Sequence, residues 1–384
     1  MPNFRERLNE LRREIPEVAA EDVHERLAEG KKVSILDVRE AEEAAGGMIP
    51  GARQLSRAHF ESRVEDVLPD KDSPVVVYCA TGVRSVFASR TLEELGYSDV
   101  SSMAGGFSRW KDLGYPFETL QTLDAGQRQR YARHLILSDV GEAGQVRLLG
   151  SKVLVVGAGG LGSPALLYLA AAGVGTIGIV DHDVVDDSNL QRQIIHDTER
   201  VGTSKAGSAK QVIEKLNSDV DVVLHETRLD TGNAAEIMSG YDVVVDGTDN
   251  FDARYAINDA SVRLGIPVVH GSIFRFEGMV STFVPNDGPC YRCLYPEAPP
   301  AELAPSCSEA GVLGVLPGIV GTLQANEALK LLIGYGEPLK GRLLVFDAQT
   351  TRFDEVKVRR DPSCPACGER AQKAHERPRI AAVS

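Results

Sequence analysis

Two closely spaced cysteine pairs lie among the six cysteines of this 384-residue sequence. Cys290 is followed by Cys293 in one C-x-x-C pattern, and Cys364 by Cys367 in another. Four thiolates can close a tetrahedral Zn²⁺ site, and the prolines beside each pair favour the tight turns of a zinc knuckle. We expect a structural zinc site from this pattern. A pair of redox-active dithiols is the alternative.

The other cysteines, Cys79 and Cys307, have different surroundings. Cys79 follows an apolar run and opens a loop that contains Gly82 and Arg84. Such a loop can direct its N–H groups inward and, with a helix N-terminus and an arginine, would lower the thiol pKa and stabilise a thiolate or persulfide. Burial of Cys79 as a small apolar residue is the alternative. Cys307 lies in the polar, turn-rich segment 304–308, and we interpret it as a second reactive thiol.

A glycine-rich loop follows the apolar run 153–156 and precedes a helical pattern. Its glycines are Gly157, Gly159, Gly160 and Gly162. Glycines let a backbone approach phosphate groups closely, and the following helix offers free N–H groups and a positive dipole end. Asp181 ends the next apolar run, where an acidic side chain can accept hydrogen bonds from ribose hydroxyls. The loop alone fits an NAD enzyme as well as an ATP enzyme.

Charged residues further along the chain favour a triphosphate over a dinucleotide. Arg192 and Lys205 supply more positive charge than a nicotinamide cofactor needs, although each could instead be a solvated surface charge. Asp249 follows the apolar run 243–245 and is available for Mg²⁺, with an Asx turn as the alternative. The sequence contains no G-x-x-x-x-G-K-[ST] pattern, which excludes a P-loop ATPase.

The elements that carry these residues fall into two α/β regions. In the first region, the apolar runs 33–38 and 75–78 predict buried strands, and the spacing over 84–95 predicts a helix. Turn-forming residues follow near the end of this region and mark a boundary. We therefore expect one domain over 1–120 and a second over 121–384.

The second region alternates predicted strands with predicted helices. Its strand-like runs are 153–156, 177–180 and 243–245. The first helix is predicted over 127–149, and later antiparallel strands are predicted over 273–284 and 342–358. Strands that alternate with helices form a mostly parallel sheet, in which ligands bind at the carboxyl ends of the strands.

The composition restricts the function classes. The formal net charge of −13, from 42 basic and 55 acidic residues, disfavours binding to nucleic acid or to an anionic membrane. Residues 1–17 are charged and lack the apolar segment of a signal peptide. The apolar stretch 312–333 contains polar and charged residues, so we interpret it as a buried helix and not a membrane span. With several cysteines and no sign of secretion, we expect a cytoplasmic protein.

The second region contains RYARH at 130–134, the glycine loop, Asp181, SNLQRQ at 188–193, Lys205 and TDNF at 248–251 with Arg254. In these motifs and in their order, over about 123–368, it resembles the E1-like adenylyltransferases of the ThiF/MoeB type and the ubiquitin-activating enzymes. The resemblance implies a Rossmann-like domain, and the related family carries the same cysteine pairs.

This resemblance gives the polar motif residues an expected place around ATP. Asp181 would hold the ribose, Asp249 would hold Mg²⁺, and Arg133 would reach the phosphates bound by the partner subunit of a homodimer. The expected phosphate contacts and remaining site residues are Asn189, Arg192, Lys205, Ser188 and Asn250. In the implied reaction, the C-terminal carboxylate of a protein attacks the α-phosphate of ATP, which releases pyrophosphate and gives an acyl adenylate. Catalysis would rest on positioning and on charge neutralisation by groups such as Arg192 and Asp249.

The first region contains LDVR at 36–39, IPGA at 49–52, the C-x-x-G-x-R loop at Cys79 and GGFSRW at 105–110. In these motifs, residues 33–117 resemble a rhodanese domain. The resemblance implies that Cys79 carries sulfur and that Asp37 and Arg39 brace its loop. Met48 is a departure, because the family usually has histidine there. Since this position lies outside the sulfur loop, we expect sulfur transfer to be retained.

The two resemblances together imply sulfur activation of a carrier protein. Cys79 would collect sulfur from a donor as a persulfide, and the second domain would adenylate the C-terminal Gly-Gly end of a ubiquitin-like sulfur carrier. The persulfide would then displace AMP. Cys307, where E1-like proteins carry a thioester- or disulfide-forming cysteine, would assist release of a thiocarboxylate. The alternatives are an adenylyltransferase with a vestigial rhodanese domain, an NAD-dependent oxidoreductase and a non-catalytic scaffold that binds carrier proteins.

Overall fold

The computed structural model of the chain divides into two compact units, Met1–Leu123 and Asp124–Ser384. The residues described are 3–40, 43–44, 46–57, 60–118, 123–299 and 311–368. Cys307 and the surrounding segment 304–308, interpreted above as carrying a reactive thiol, lie outside the described residues.

The first unit is built on a parallel five-stranded sheet with the strand order β1-β5-β4-β2-β3. The strands are β1 (Glu17–Val18), β2 (Ser34–Asp37), β3 (Arg53–Gln54), β4 (Val75–Tyr78) and β5 (Val100–Met103). The helices are α1 (Phe4–Glu14), α2 (Ala20–Ala28), α3 (Phe60–Val67), α4 (Val83–Glu94) and α5 (Gly106–Asp112). Because side chains alternate along a strand, Val77 packs in one apolar layer and Tyr78 in the layer on the opposite face. Both faces of the sheet are covered, as expected of an all-parallel sheet.

The second unit contains an eight-stranded sheet with the order β13-β12-β11-β10-β9-β6-β7-β8. Its strands are β6 (Lys152–Val156), β7 (Thr176–Val180), β8 (Asp221–His225), β9 (Val243–Asp246), β10 (Val268–Phe274), β11 (Glu277–Phe283), β12 (Arg342–Asp347) and β13 (Arg352–Lys357). The neighbouring strands β10, β9, β6, β7 and β8 are parallel to one another. Beyond β10, the sheet continues through β11, β12 and β13, each antiparallel to the strand before it. The predicted mostly parallel sheet with later antiparallel strands is confirmed.

Helices cover both faces of this sheet. They are α6 (Ala125–Arg130), α7 (Ala132–Leu135), α8 (Gly141–Gly150), α9 (Gly162–Ala172), α10 (Lys205–Leu216), α11 (Ala234–Met238), α12 (Phe251–Leu264), α13 (Tyr291–Leu294) and α14 (Val315–Ile333). Val155 of β6 belongs to one apolar layer with α9 and α14, whereas Leu154 belongs to the layer formed with α11 and α12. Within the described ranges, no helix combines the length and apolar character needed to cross a bilayer.

The single helix predicted over 127–149 was wrong, because three short helices, α6 to α8, occupy this stretch. The first break is at Tyr131, whose buried ring packs against Gly173 and whose hydroxyl accepts a hydrogen bond from Asn217 at 2.9 Å. Tertiary contacts of this kind outweigh a helical pattern in the local sequence.

Candidate functional site

Cys79 directly follows β4 and begins the loop that leads into α4; we call 79–82 the thiol loop. The N-terminus of α5 packs against it, because the N–H of Phe107 donates to the carbonyl of Cys79 at 2.8 Å and that of Ser108 to the carbonyl of Ala80 at 3.0 Å. A Cβ atom at Gly106 would lie 2.4 Å from the Cys79 carbonyl oxygen, so only glycine fits there. The GGFSRW motif therefore holds the thiol loop in place.

Groups that can donate hydrogen bonds surround the sulfur atom of Cys79. The N–H of Gly82 lies 3.2 Å from Sγ, and the hydroxyl of Ser85 lies 3.7 Å from it. Ser102 donates its own hydroxyl proton to Ser85 Oγ at 2.8 Å, which leaves the Ser85 proton available to a thiolate. Burial raises the pKa of Cys79, but hydrogen bonds from Ser85, Thr81 and Gly82 outweigh it and hold the pKa below its ordinary value. The loop can therefore stabilise a sulfur anion.

Asp37 and Arg39 form a buried ion pair, with Arg39 Nη2 2.5 Å from Asp37 Oδ2. Arg39 also donates to the carbonyl oxygens of Glu43 at 3.1 Å and Gly47 at 2.6 Å. Its guanidinium lies 4.2 Å from the ring centre of Phe107 in α5. The pair thus fixes the backbone at Glu43 and Gly47 and contacts the helix behind the thiol loop. Met48 is buried in this region and pairs through its backbone with Glu118.

The glycine loop, residues 157–162, joins β6 to α9 as expected. A Cβ atom at Gly162 would lie 1.8 Å from the carbonyl oxygen of Gly157, which requires glycine at the start of the helix. Gly159 lies next to the side chain of Gln193, and Gly160 lies next to Arg192 Cγ. The SNLQRQ motif is therefore beside the glycine loop in space as well as near it in the sequence.

Asp181 lies at the carboxyl end of β7 and is tied directly to the glycine loop. Its Oδ2 accepts the N–H of Ala158 at 2.7 Å, and its Oδ1 accepts the N–H of Asp183 at 2.9 Å. Burial raises the pKa of Asp181, and these two N–H donors partly offset that effect. Each oxygen keeps a further lone pair, so the carboxylate can still accept a hydroxyl group.

The cationic residues of the motifs are held by short polar contacts. Lys205 begins α10 and donates from Nζ to Asp183 Oδ2 at 2.9 Å. Arg192 donates to the carbonyl of Ser188 at 3.3 Å, and its own N–H bonds to the carbonyl of Asn189 at 3.1 Å. The segment 188–192 is consequently one compact turn, and it places the stem of the Arg192 side chain beside the glycine loop.

Asp249 lies exposed just beyond the end of β9. This turn adjoins the glycine loop, because the N–H of Gly247 donates to the carbonyl of Val156 at 2.9 Å. Asn250 caps α12 by accepting the N–H of Ala253 at 2.9 Å, so its oxygen already has a structural partner. Arg133 is exposed on α7, and within the described residues no hydrogen bond joins it to the glycine loop.

The structure adds His196, which the sequence analysis did not assign to this site. His196 is buried, and its Nε2 donates to the carbonyl of Ala158 at 2.9 Å while its Nδ1 accepts the hydroxyl of Ser208 at 2.8 Å. Burial lowers its pKa to about 4, so the ring is neutral near pH 7 and can both donate and accept. It links the glycine loop to α10, whose first residue is Lys205. Its position directly after SNLQRQII was the available sequence signal.

A second buried histidine supports the turn that carries Asp249. Asp246 accepts the N–H of Thr248 at 3.0 Å and the Nδ1–H of His270 at 2.7 Å. Burial opposes the charge on Asp246, but the bonds from His270 and Thr248 lower its pKa overall. Asp246 is therefore an ionised group that shapes the turn from within the protein.

The four cysteines of the C-x-x-C pairs are brought together as predicted, and their ligand atoms all lie within 4.8 Å of one another. Cys290 Sγ lies 3.6 Å from Cys364 Sγ, and Cys293 Sγ lies 3.4 Å from Cys367 Sγ. A tetrahedral site with Zn–S bonds of about 2.3 Å needs sulfur separations of about 3.8 Å, which these distances approach. Contact with Cys367 and burial raise the pKa of Cys290, so a cation is needed to ionise all four thiols. The cluster fits zinc.

Comparison with known proteins agrees with this geometry. The ThiF family model matches residues 131–366, and the rhodanese-like domain model matches residues 19–113. The chain is similar to a crystal structure of Escherichia coli MccB, with a TM-score of 0.57 and 24% identity over 62% of this chain and 75% of that chain. This likeness concerns the fold.

Other proteins are more similar to the chain in sequence than MccB is. A SAMP-activating enzyme E1 of Haloferax volcanii is 56% identical over 65% of this chain and 92% of that protein. A sulfur carrier protein adenylyltransferase of Thermus thermophilus is 52% identical over 62% of this chain and 90% of its own length. A probable adenylyltransferase/sulfurtransferase MoeZ of Mycobacterium tuberculosis is 53% identical over 65% of this chain, but over only 64% of its own length. The chain belongs to the ThiF family, and its first unit contains a rhodanese-like domain.

Proposed function

We propose that the second unit uses ATP to adenylate the C-terminal glycine of a ubiquitin-like sulfur carrier protein. The observation that carries this proposal is the convergence of the glycine loop, Asp181 and Arg192 in a chain of the ThiF family. The names of the Thermus and Mycobacterium relatives support it.

In the proposed reaction, the N–H groups of the glycine loop face the phosphates and Asp181 accepts the ribose hydroxyls. Asn189, Arg192 and Lys205 offset the phosphate charge, and Arg133 completes the site from a second copy of the chain. Asp249 would hold Mg²⁺, whose charge would assist departure of pyrophosphate. The carrier carboxylate attacks the α-phosphorus, the bond to the bridging oxygen breaks, and pyrophosphate leaves.

We further propose that Cys79 supplies the sulfur. Its thiolate takes a sulfane sulfur from a donor, and the resulting persulfide attacks the acyl carbon of the adenylate, from which AMP leaves. A thiol then attacks the Cys79 sulfur of the acyl disulfide, which releases the carrier thiocarboxylate and forms a disulfide with Cys79. Cys307 is our candidate for this thiol. The donor-lined thiol loop supports the persulfide role of Cys79.

We assign zinc to the four-cysteine cluster as a structural ion, because all four ligand positions come from the protein. It would join the α13 region to the chain segment after β13. We place the protein in the cytoplasm, because a reducing compartment keeps zinc-binding cysteines and a nucleophilic Cys79 out of disulfides.

The test is to incubate the chain with ubiquitin-like carriers from its own genome, ATP, Mg²⁺ and a sulfur donor. We expect carrier-dependent exchange of pyrophosphate into ATP, and a carrier mass gain that corresponds to replacement of one oxygen by sulfur. Exchange without the mass gain would leave only the adenylyltransferase, with a vestigial rhodanese domain. Carrier binding without exchange would indicate a scaffold, and binding of NAD without exchange would indicate an oxidoreductase.

A further inference from the structure

Arg84, which closes the C-x-x-G-x-R motif at Cys79, is held by a carboxylate from a distant segment. Its Nη1 lies 2.6 Å from Glu43 Oε2 and its Nη2 lies 2.7 Å from Glu43 Oε1, a two-point contact. The two side chains remain 35% and 40% exposed, so solutes can reach the pair. Hydrogen bonds to Glu43 raise the pKa of Arg84 against the effect of burial. Arg84 is the second residue of α4 and therefore follows the thiol loop directly.

The protein core determines where Glu43 lies. Arg39, only 4% exposed, donates to the backbone carbonyl of Glu43, and Asp37 fixes Arg39 in turn. Hydrogen bonds from Arg84 lower the pKa of Glu43 to about 2, so this carboxylate is ionised at any working pH. The buried Asp37–Arg39 pair thus holds the exposed carboxylate of Glu43 at the guanidinium of Arg84, which follows the thiol loop.

Because Glu43 occupies the guanidinium of Arg84, we expect small sulfur donors to differ in how well they bind near Cys79. Thiosulfate is a dianion, and its sulfonate oxygens match the two-point geometry of a guanidinium. An alkyl persulfide carries its transferable sulfur on at most one negative charge and has no such oxygens. Glu43 repels the dianion and competes with it for the guanidinium, whereas the persulfide needs neither contact.

We propose that Glu43 is a donor-selectivity residue, which disfavours thiosulfate relative to alkyl persulfides as sulfur donors to Cys79. This inference rests on the proposed sulfurtransferase function. With either donor, the Cys79 thiolate attacks the outer sulfur and the donor S–S bond breaks. Its electron pair leaves with sulfite in one case and with an alkyl thiolate in the other. Both routes give the same Cys79 persulfide and need no further oxidant or reductant.

The test compares the full-length chain with its Glu43→Gln variant, using cyanide as the sulfur acceptor and either thiosulfate or 2-hydroxyethyl persulfide, an alkyl persulfide without a carboxylate, as the donor. We expect the KM for thiosulfate to fall about tenfold with kcat changed less than about twofold, because the repulsion between one charge and a nearby dianion is removed. The kcat/KM for 2-hydroxyethyl persulfide should change less than about twofold. At about 1 M salt, where the Debye length is about 3 Å, the thiosulfate effect should shrink below about threefold.

Glu94→Gln is the matched control, because Glu94 forms an exposed pair with Arg90 at 2.9 Å on α4 and its loss changes the net charge equally. It should leave the donor preference unchanged. An unchanged KM for thiosulfate in Glu43→Gln, or an equal gain with both donors, would overturn the selectivity role. A wild-type chain that takes sulfur from neither donor at Cys79 would instead refute the proposed sulfurtransferase function, and this inference with it.

Discussion

The thiol loop and the glycine loop occupy equivalent places in their two sheets. Each follows a buried parallel strand, β4 or β6, and leads into a helix, so each lies at the carboxyl ends of the strands in its sheet. The thiol loop directs hydrogen-bond donors at its own sulfur atom. The glycine loop has no reactive side chain and leaves its space to a ligand. In our proposal, the same local topology thus serves a nucleophile in one unit and a binding site in the other.

The two loops also differ in what holds them. Backbone groups of α5 bind the carbonyls of the thiol loop, and Gly106 allows that approach. Side chains hold the glycine loop, because Asp181 and His196 bind the two polar backbone groups of Ala158. Loss of a single polar side chain should therefore disturb the glycine loop more than the thiol loop, whose shape also depends on Gly106 and on the Asp37–Arg39 pair.

The largest expected effect is a complete separation of the two proposed activities, sulfur transfer and adenylation. Cys79→Ser should abolish persulfide formation and leave carrier-dependent pyrophosphate exchange within about twofold of wild type. Arg192→Ala should lower the exchange rate by about 100-fold or more, because a group that stabilises developing charge is lost, and should leave sulfur transfer to cyanide unchanged. Exchange kinetics and mass spectrometry measure both activities. If either replacement removed both, the two loops would not act as independent sites.

Loss of a cysteine from the four-cysteine cluster should affect stability in one unit only. For Cys364→Ser, we expect loss of bound zinc and a loss of at least about 3 kcal/mol in the unfolding free energy of the second unit, because structural zinc contributes on the order of 10 kcal/mol in small zinc domains. Metal analysis and calorimetry would measure these changes. Cys79→Ser, outside the cluster, is the control and should retain zinc. A Cys364→Ser protein with full zinc content would contradict the assignment.

His196 tests the side-chain support of the glycine loop. His196→Phe removes the donor to Ala158, and an unpaired buried carbonyl costs about 1–3 kcal/mol. We therefore expect the KM for ATP to rise about tenfold in the exchange assay, with partial recovery in His196→Gln. His24→Phe, which alters a stacked histidine in the first unit, should change this KM less than about twofold. Equal KM values for His196→Phe and wild type would show that the loop holds its shape without this histidine.

The smallest expected effect concerns the hydrogen-bond donors around the sulfur atom of Cys79. Because the Cys79 pKa lies below its ordinary value, alkylation of Cys79 should reach half its maximal rate below the pH usual for a free cysteine. Ser85→Ala removes a donor to the thiolate, so the profile should move to higher pH and the rate near pH 7 should fall about threefold. Ser89→Ala removes a buried hydroxyl without a hydrogen-bond partner and should not move the profile. A shift of the alkylation profile to lower pH in Ser85→Ala would contradict the role of Ser85 as a donor to the thiolate.

Local patterns in the sequence predicted the parts of each site that lie on one strand–loop–helix unit. The apolar run at 75–78 is β4, and the glycine loop lies between β6 and α9 as expected. The helix predicted over 127–149 failed because the contact between Tyr131 and Asn217 joins residues far apart in the chain. The pairing of Glu43 with Arg84 was missed for the same reason. Periodicity describes neighbours along the chain and contains no information on such pairs.

The ring of Tyr291 connects two parts of the second unit that sequence reasoning treated separately. Tyr291 follows the cluster residue Cys290 and packs against His270, with 4.9 Å between ring centres. His270 bonds to Asp246, which in turn shapes the turn at Thr248. If zinc occupies the cluster as we propose, its removal should loosen the packing of Tyr291 on His270 and, through Asp246, the turn that carries Asp249.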